Sequence, residues 1–233
     1  MVSTTHNAGT WDRYAWAAGI VFVVALVAES VIGGSIPINH NDSAAKIATA
    51  LDAHRTQLLV IAGLSAVYSV AFSIYVWKLY DFLSGSERTR RVAVLVLVGG
   101  VLMIALHAVS DLGITGLLGG KLASYSAHHD HGISYTLYLL TFAIDSVGDV
   151  FGSIFLAAAG LLTLRGALLP RWIAWVAIVA AVTLFLQAFG LGGLIATFGL
   201  VLDLIGFALF LVFVLASSVI LMRRETAPRT TAA

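Results

Sequence analysis

Apolar residues run along this chain in six long blocks, over residues 14–34, 56–83, 92–118, 134–164, 172–189 and 194–222, with few charges inside any of them. A helix that crosses a hydrocarbon layer needs about 20 mostly apolar residues. The pattern therefore predicts an all-α fold: a six-transmembrane-helix bundle, arranged as three helical hairpins, with both termini cytoplasmic. Residues 1–13 and 223–233 are the cytoplasmic tails and 14–222 the transmembrane domain. The first run is too long for the core of a secretory signal and is followed by no small-residue cleavage pattern, so it reads as a retained helix. Between the first two runs, Asn41-Asp42-Ser43 is a helix-start signal, and residues 44–54 carry apolar positions at helical spacing. That stretch either lies along the outer surface or extends the second span.

Composition agrees with the membrane class: 60% of the 233 residues are hydrophobic and 11% charged. The formal net charge of +1 gives no reason to expect a nucleic-acid partner, and the absence of cysteine removes disulfides and thiolate chemistry. The expected partner is the lipid bilayer, with a homo-oligomer or a larger membrane complex left open. Charge matters through its distribution. With the N-terminus inside, ten basic residues (Arg13, Lys78, Arg88, Arg90, Arg91, Arg165, Arg171, Arg223, Arg224, Arg229) fall on the cytoplasmic side, against Lys46, Arg55 and Lys121 opposite. Cytoplasmic loops retain positive charge, so this split sets the orientation in a cell membrane. All five tryptophans (Trp11, Trp16, Trp77, Trp172, Trp175) lie near the same ends, where amphipathic rings favour the membrane interface.

Polar residues inside the runs fall at repeated depths. Counting 16 residues onward from Arg13, Arg91 and Arg171 reaches Glu29, His107 and Gln187, and Asp149 lies 16 residues before Arg165. At about 1.5 Å per residue this tier is roughly 24 Å from the cytoplasmic anchors. Asp111, Asp145 and Asp203 lie 20 residues from Arg91, Arg165 and Arg223, in a second tier farther out. The pairs His107/Asp111 and Asp145/Asp149 are each spaced to share a helix face, and Gly148 and Gly152 leave room for a neighbouring backbone. A carboxylate buried in lipid costs several kcal/mol unless it is protonated, paired or bound to a cation.

Glu29, His107, Asp111, Asp145, Asp149 and Asp203 are thus the candidate ligand-binding residues, able to share protons or hold a divalent metal such as zinc. His107, Asp111, Asp145 and Asp149 are the metal candidates inside the membrane. His128, His129 and His131, around Asp130, form a second metal candidate outside it, since neutral imidazoles favour zinc, nickel or copper(II). The plainer alternatives are that Asp111, Asp145 and Asp203 only reach the headgroup layer, that the histidine run is a solvated loop, and that Gln187 is a helix-packing hydrogen bond. Ala157-Ala158-Ala159-Gly160 reads as close helix packing and 190–193 as a tight turn.

Several named chemistries are excluded. There is no G-x-S-x-G elbow and no H-E-x-x-H pair. Lys78 sits at a helix end, away from any retinal position. One histidine in a span cannot make a bis-histidine haem, and Met103 alone cannot supply a copper(I) path. The segment Leu168-Leu169-Pro170-Arg171-Trp172-Ile173-Ala174-Trp175 resembles the L-P-R-W-x-x-W start found in small bacterial, actinobacterial-type, integral membrane proteins of unknown function. That resemblance implies a six-helix bacterial membrane protein and brings no catalytic residues with it.

The leading expectation is a bundle with a polar cavity open to the extracytoplasmic side, binding a cation or protons and a small ligand. The alternatives are a membrane-embedded metal-dependent enzyme acting near the headgroups, and a non-catalytic subunit of a larger complex. Alternating-access transport fits less well, because the repeat is threefold rather than twofold.

Overall fold

The computed structural model describes residues 8–39, 42–166, 169–188 and 196–226, and those residues form helices and short connections with no strand. In chain order the helices are α1 (Ala8–Gly34), α2 (Ala44–Ala53), α3 (Arg55–Leu83), α4 (Glu87–His107), α5 (Ala123–His128), α6 (His131–Gly166), α7 (Arg171–Ala188) and α8 (Ala196–Thr226). Two π-helical segments, Ala108–Thr115 and Leu118–Leu122, continue α4 toward α5. Six helices are long and apolar enough to cross a membrane, and their most apolar windows have mean hydropathies of 1.7 to 2.8. His40, Leu168, the 190–193 turn and residues 1–7 and 227–233 of the two tails lie outside the described residues.

The long helices pack as a ring in which α1 meets α3, α3 meets α4, α4 meets α6, α6 meets α7, α7 meets α8 and α8 returns to α1. The expected hairpins are all present as α1/α3, α4/α6 and α7/α8. Small residues set the spacing. A Cβ on Gly99 would lie 2.8 Å from both Phe151 O and Phe155 N, so α4 rests directly on the backbone of α6. Gly160 lets α7 approach in the same way, with Ala174 O 3.0 Å from where its Cβ would be. With lipid as apolar as leucine, close backbone approach and dispersion hold such helices together.

Aromatic rings fill the centre of the ring. Phe22 of α1 lies 4.5 Å from Phe72 of α3 and 5.7 Å from Phe210 of α8, and Phe72 lies 5.6 Å from Phe155 of α6, centroid to centroid. These separations are favourable for aromatic pairs, and Phe22, Phe72 and Phe155 are fully buried. Outward-facing valines such as Val24, Val70 and Val182 are more than half exposed, the surface expected of helices in contact with lipid.

The first and last helices meet at one side of the bundle. Trp16 Nε1 donates to Glu225 Oε1 at 2.9 Å, and Lys78 Nζ lies 3.9 Å from the same oxygen. Trp16 is fully buried against Tyr75 and Phe82 rather than set at the interface with Trp77, Trp172 and Trp175, which are half or more exposed. Its indole N–H finds its acceptor on the last helix, so the buried ring ties α1 to α8.

At the opposite end a second apolar cluster forms from Ile36, Ile47, Leu51, Leu58, Ile61, Ile114, Leu118 and Ala123. Helix α2 is a separate element of this cap and does not extend the second span. Ser43 caps it by accepting the Lys46 N–H at 3.4 Å, and its apolar face, Ile47, Ala48 and Leu51, packs inward. Asp42 accepts from Lys46 Nζ at 2.8 Å and from the Asn39 N–H at 2.9 Å.

Two predictions follow from these contacts. Gly99→Ala should destabilise the detergent-solubilised protein by about 1–3 kcal/mol through overpacking against the α6 backbone, read as a fall in melting temperature. The Lys46 ammonium, followed by the Asn39 N–H, holds the Asp42 carboxyl below its ordinary range. A lowered folded-state value means that Asp42 supports the α2 cap at neutral pH and stops doing so as pH falls through that value. Hydrogen exchange at the start of α2, corrected for intrinsic rates, should speed up on acidification in the parent and be already fast at neutral pH in Asp42→Asn.

Candidate functional site

Four elements pass from the aromatic core into the second apolar cluster, and each carries its polar residues at the crossing. On α1, Glu29 lies between Ala25 of the core and Ile32 and Ile36 of the second cluster. On α3, Tyr68 follows Leu58 and Ile61, and on the α4–π segment His107 and Asp111 lie between Ile104 and Ile114. On α6, Asp145 and Asp149 lie between Ile144 and Phe155. The two expected tiers therefore merge into one polar layer with apolar packing on both sides.

Within the layer the groups pair specifically. His107 Nδ1 is 3.0 Å from Met103 O; a carbonyl only accepts, so Nδ1 carries a proton and Nε2 is the nitrogen turned to the layer. His107 Nε2 lies 3.8 Å from Asp149 Oδ1, at ion-pair range, while Gln187 Nε2 donates to Asp149 Oδ2 at 3.1 Å. Tyr68 donates its hydroxyl to Asp111 Oδ2. Glu29 is an electrostatic neighbour of Asp111, Asp145 and His107. Gly148 seats the imidazole, since a Cβ there would lie 2.6 Å from His107 Cε1. Met103 likewise fills the space over Gly152, with Sδ 2.7 Å from where that Cβ would be. These two glycines thus receive side chains, and the backbone approach expected of them occurs at Gly99 instead.

Ser110 Oγ, Asp145 Oδ1 and Gln187 Oε1 are buried around this layer; Ser110 is fully buried and lies beside Asp145, close enough for the two side chains to share a weak hydrogen bond. Ser110 and Asp111 sit in the first π-helical segment, whose i→i+5 bonding widens the backbone where it enters the layer; such segments recur at functional sites.

The metal expectation for His107, Asp111, Asp145 and Asp149 finds no support in this arrangement. Among the described residues, no three histidine, aspartate or glutamate side chains gather to hold a metal ion. Tyr68 takes one aspartate and Gln187 and His107 another, which separates the carboxylates that zinc would need to draw together. The outer histidines are also engaged locally. His128 Nδ1 is 2.8 Å from Ser124 O, His129 Nδ1 is 3.1 Å from Tyr125 O with its ring stacked on Tyr125, and His131 Nδ1 is 3.1 Å from Ser126 O. Asp130 accepts the Gly132 N–H at 2.9 Å and so starts α6. This run builds the α5–α6 corner. The side chain of Asp203 lies outside the described residues.

Tyr68 and Ser110 are the members that pattern reading overlooks. A tyrosine or serine scores as ordinary within an apolar span; the available signal was the stripe Ser65, Tyr68, Ser69 at helical spacing on α3. Because Gly148 faces the imidazole, Gly148→Ala should lower the melting temperature, and His107→Ala in the same chain should restore much of the loss. A double-mutant cycle measures this coupling.

No curated protein and no solved structure matches the chain. The family model described as "Domain of unknown function (DUF4386)" matches residues 18–222, which takes in every helix of the polar layer; the chain belongs to the DUF4386 family.

Proposed function

We propose that this multi-pass membrane protein binds protons in the layer formed by Glu29, Tyr68, His107, Asp111, Asp145, Asp149 and Gln187, and exchanges them with the extracytoplasmic side. The ten-to-three division of basic residues supports that orientation, with both termini in the cytoplasm. One observation carries the reading: four carboxylates and one imidazole lie between two apolar clusters, and hydroxyl, amide and imidazole groups are their partners. No lysine or arginine lies within nine residues of any member along the chain. Fully ionised, four carboxylates and one imidazolium would hold a net charge of −3 (four negative, one positive) in a poorly solvated region. Desolvation at that scale is relieved by retaining protons. The aromatic rings beneath the layer favour a site that opens outward over a pore through the bundle.

Infrared spectroscopy of the purified protein tests this. At pH 7, where exposed carboxylates are ionised, a protonated-carboxyl C=O band should be present, shift in D2O and disappear on further alkalinisation. Glu29→Gln and Asp145→Asn should each reduce it. Absence of the band, or a band indifferent to both substitutions, would remove the proposal.

A further inference from the structure

No aspartate or glutamate occurs between Asp149 and Asp203, yet Arg165 and Arg171 both fall in that stretch. Both are exposed, and so is Arg91 near the start of α4. Among the described residues none of these three arginines has a carboxylate at ion-pair distance, whereas at the same end of the bundle Arg90 meets Glu87 and Lys78 meets Asp81 and Glu225.

Helix register brings the three to one level. Met103 packs over Gly152 and so aligns α4 with α6; Arg91 lies twelve residues before Met103, and Arg165 thirteen after Gly152 on the antiparallel helix. Ala174 O lies against Gly160 and aligns α6 with α7; Arg165 lies five residues after Gly160, and Arg171 three before Ala174. At about 1.5 Å per residue, adjacent members of the set differ in level by no more than about 3 Å. Helix α6 stands between α4 and α7 in the ring, so the arginines rim one sector of the outer wall. Each has an exposed apolar side chain four residues farther into the span: Leu95 for Arg91, Leu161 for Arg165 and Trp175 for Arg171. Residues four apart share a helix face, so every guanidinium sits one turn beyond apolar surface on its own helix.

We propose that this sector binds the phosphate of an anionic phospholipid in the adjoining leaflet, with the acyl chains lying along Leu95, Leu161 and Trp175. All three positions carry arginine rather than lysine, and the planar guanidinium pairs with phosphate through two parallel hydrogen bonds. The protein supplies these charges with no acid, so their counter-charge comes from outside it. A choline-headed lipid brings an ammonium beside its phosphate and leaves the excess positive charge in place; a glycerol-headed lipid brings the negative charge alone. Basic sites on membrane helices select anionic headgroups for this reason, and Trp175 has the amphipathic ring that settles at headgroup depth. A soluble anion would meet the guanidinium groups and make no use of the apolar positions below them.

The experiment is thermal unfolding of the full-length protein in nonionic detergent, titrated with phosphatidylglycerol or with phosphatidylcholine of the same acyl chains, and separately with inorganic phosphate. Phosphatidylglycerol at a tenfold excess over its dissociation constant should raise the midpoint by about 3–6 °C, saturably, and phosphatidylcholine should not. Arg165→Gln and Arg171→Gln should each weaken the apparent affinity about tenfold or more, while their midpoints without lipid stay within about 2 °C of the parent's, as for exposed side chains. Arg13→Gln removes the same charge from α1, on the opposite side of the ring, and should keep the parent's response. Equal midpoints in the two lipids would overturn the site, as would a matching rise with inorganic phosphate in the absence of lipid. So would a loss of response in Arg13→Gln as large as that in Arg165→Gln, which would mark a diffuse attraction to the whole basic end.

Discussion

A carboxylate withdrawn from water must meet a donor, a counter-charge or a proton, and four of them at one level of this bundle dictate much of what surrounds them. The α1, α3, α4 and α6 helices have to cross at a common register so that Tyr68 reaches Asp111 and His107 faces Asp149. Register of that kind is held by packing. Gly99 on the backbone of α6 and Gly148 beneath the imidazole determine how far α4 and α6 can slide. A shift of one helical residue, about 1.5 Å, would take the hydroxyl and the amide away from their acceptors and leave the charges alone.

The apolar clusters on either side have different characters. Beneath the layer, rings from α1, α3, α6 and α8 interlock around Phe72. On its other side, short elements with aliphatic side chains pack together, and these depend on caps and corners such as Ser43, Asp42 and Asp130. Such elements lie at the low end of local stability, because each buries little area and relies on exposed hydrogen bonds. That end of the bundle is therefore the easier one to open, and it is the end from which we propose that protons exchange.

Much of the fold was legible in the chain because lipid imposes a length and a polarity on every span. The six runs match the six long helices to within a few residues, and the common depth of Glu29, His107, Asp149 and Gln187 survives as physical proximity. Their partners were less legible. Tyr68 and Ser110 are unremarkable in an apolar helix, and the π-helical geometry that turns Ser110 inward leaves no periodic trace. The histidine run showed the opposite failure. Its composition suggested metal chemistry, but local backbone carbonyls already bond its Nδ1 atoms. Trp16 failed for a related reason, since its acceptor, Glu225, is supplied by the last helix, 209 residues along the chain.

That last contact has a bearing on how the protein is made. Trp16 and Glu225 are separated by 209 residues, and the indole N–H takes its acceptor from the last helix. During synthesis α1 enters the membrane long before α8 exists, so for most of translation the first helix has one side of its packing open to lipid or to the insertion machinery. The ring closes only when the last helix arrives. Assembly of this bundle is thus gated by its final segment, and the polar layer, whose register depends on a closed ring, is among the last parts of the molecule to become itself.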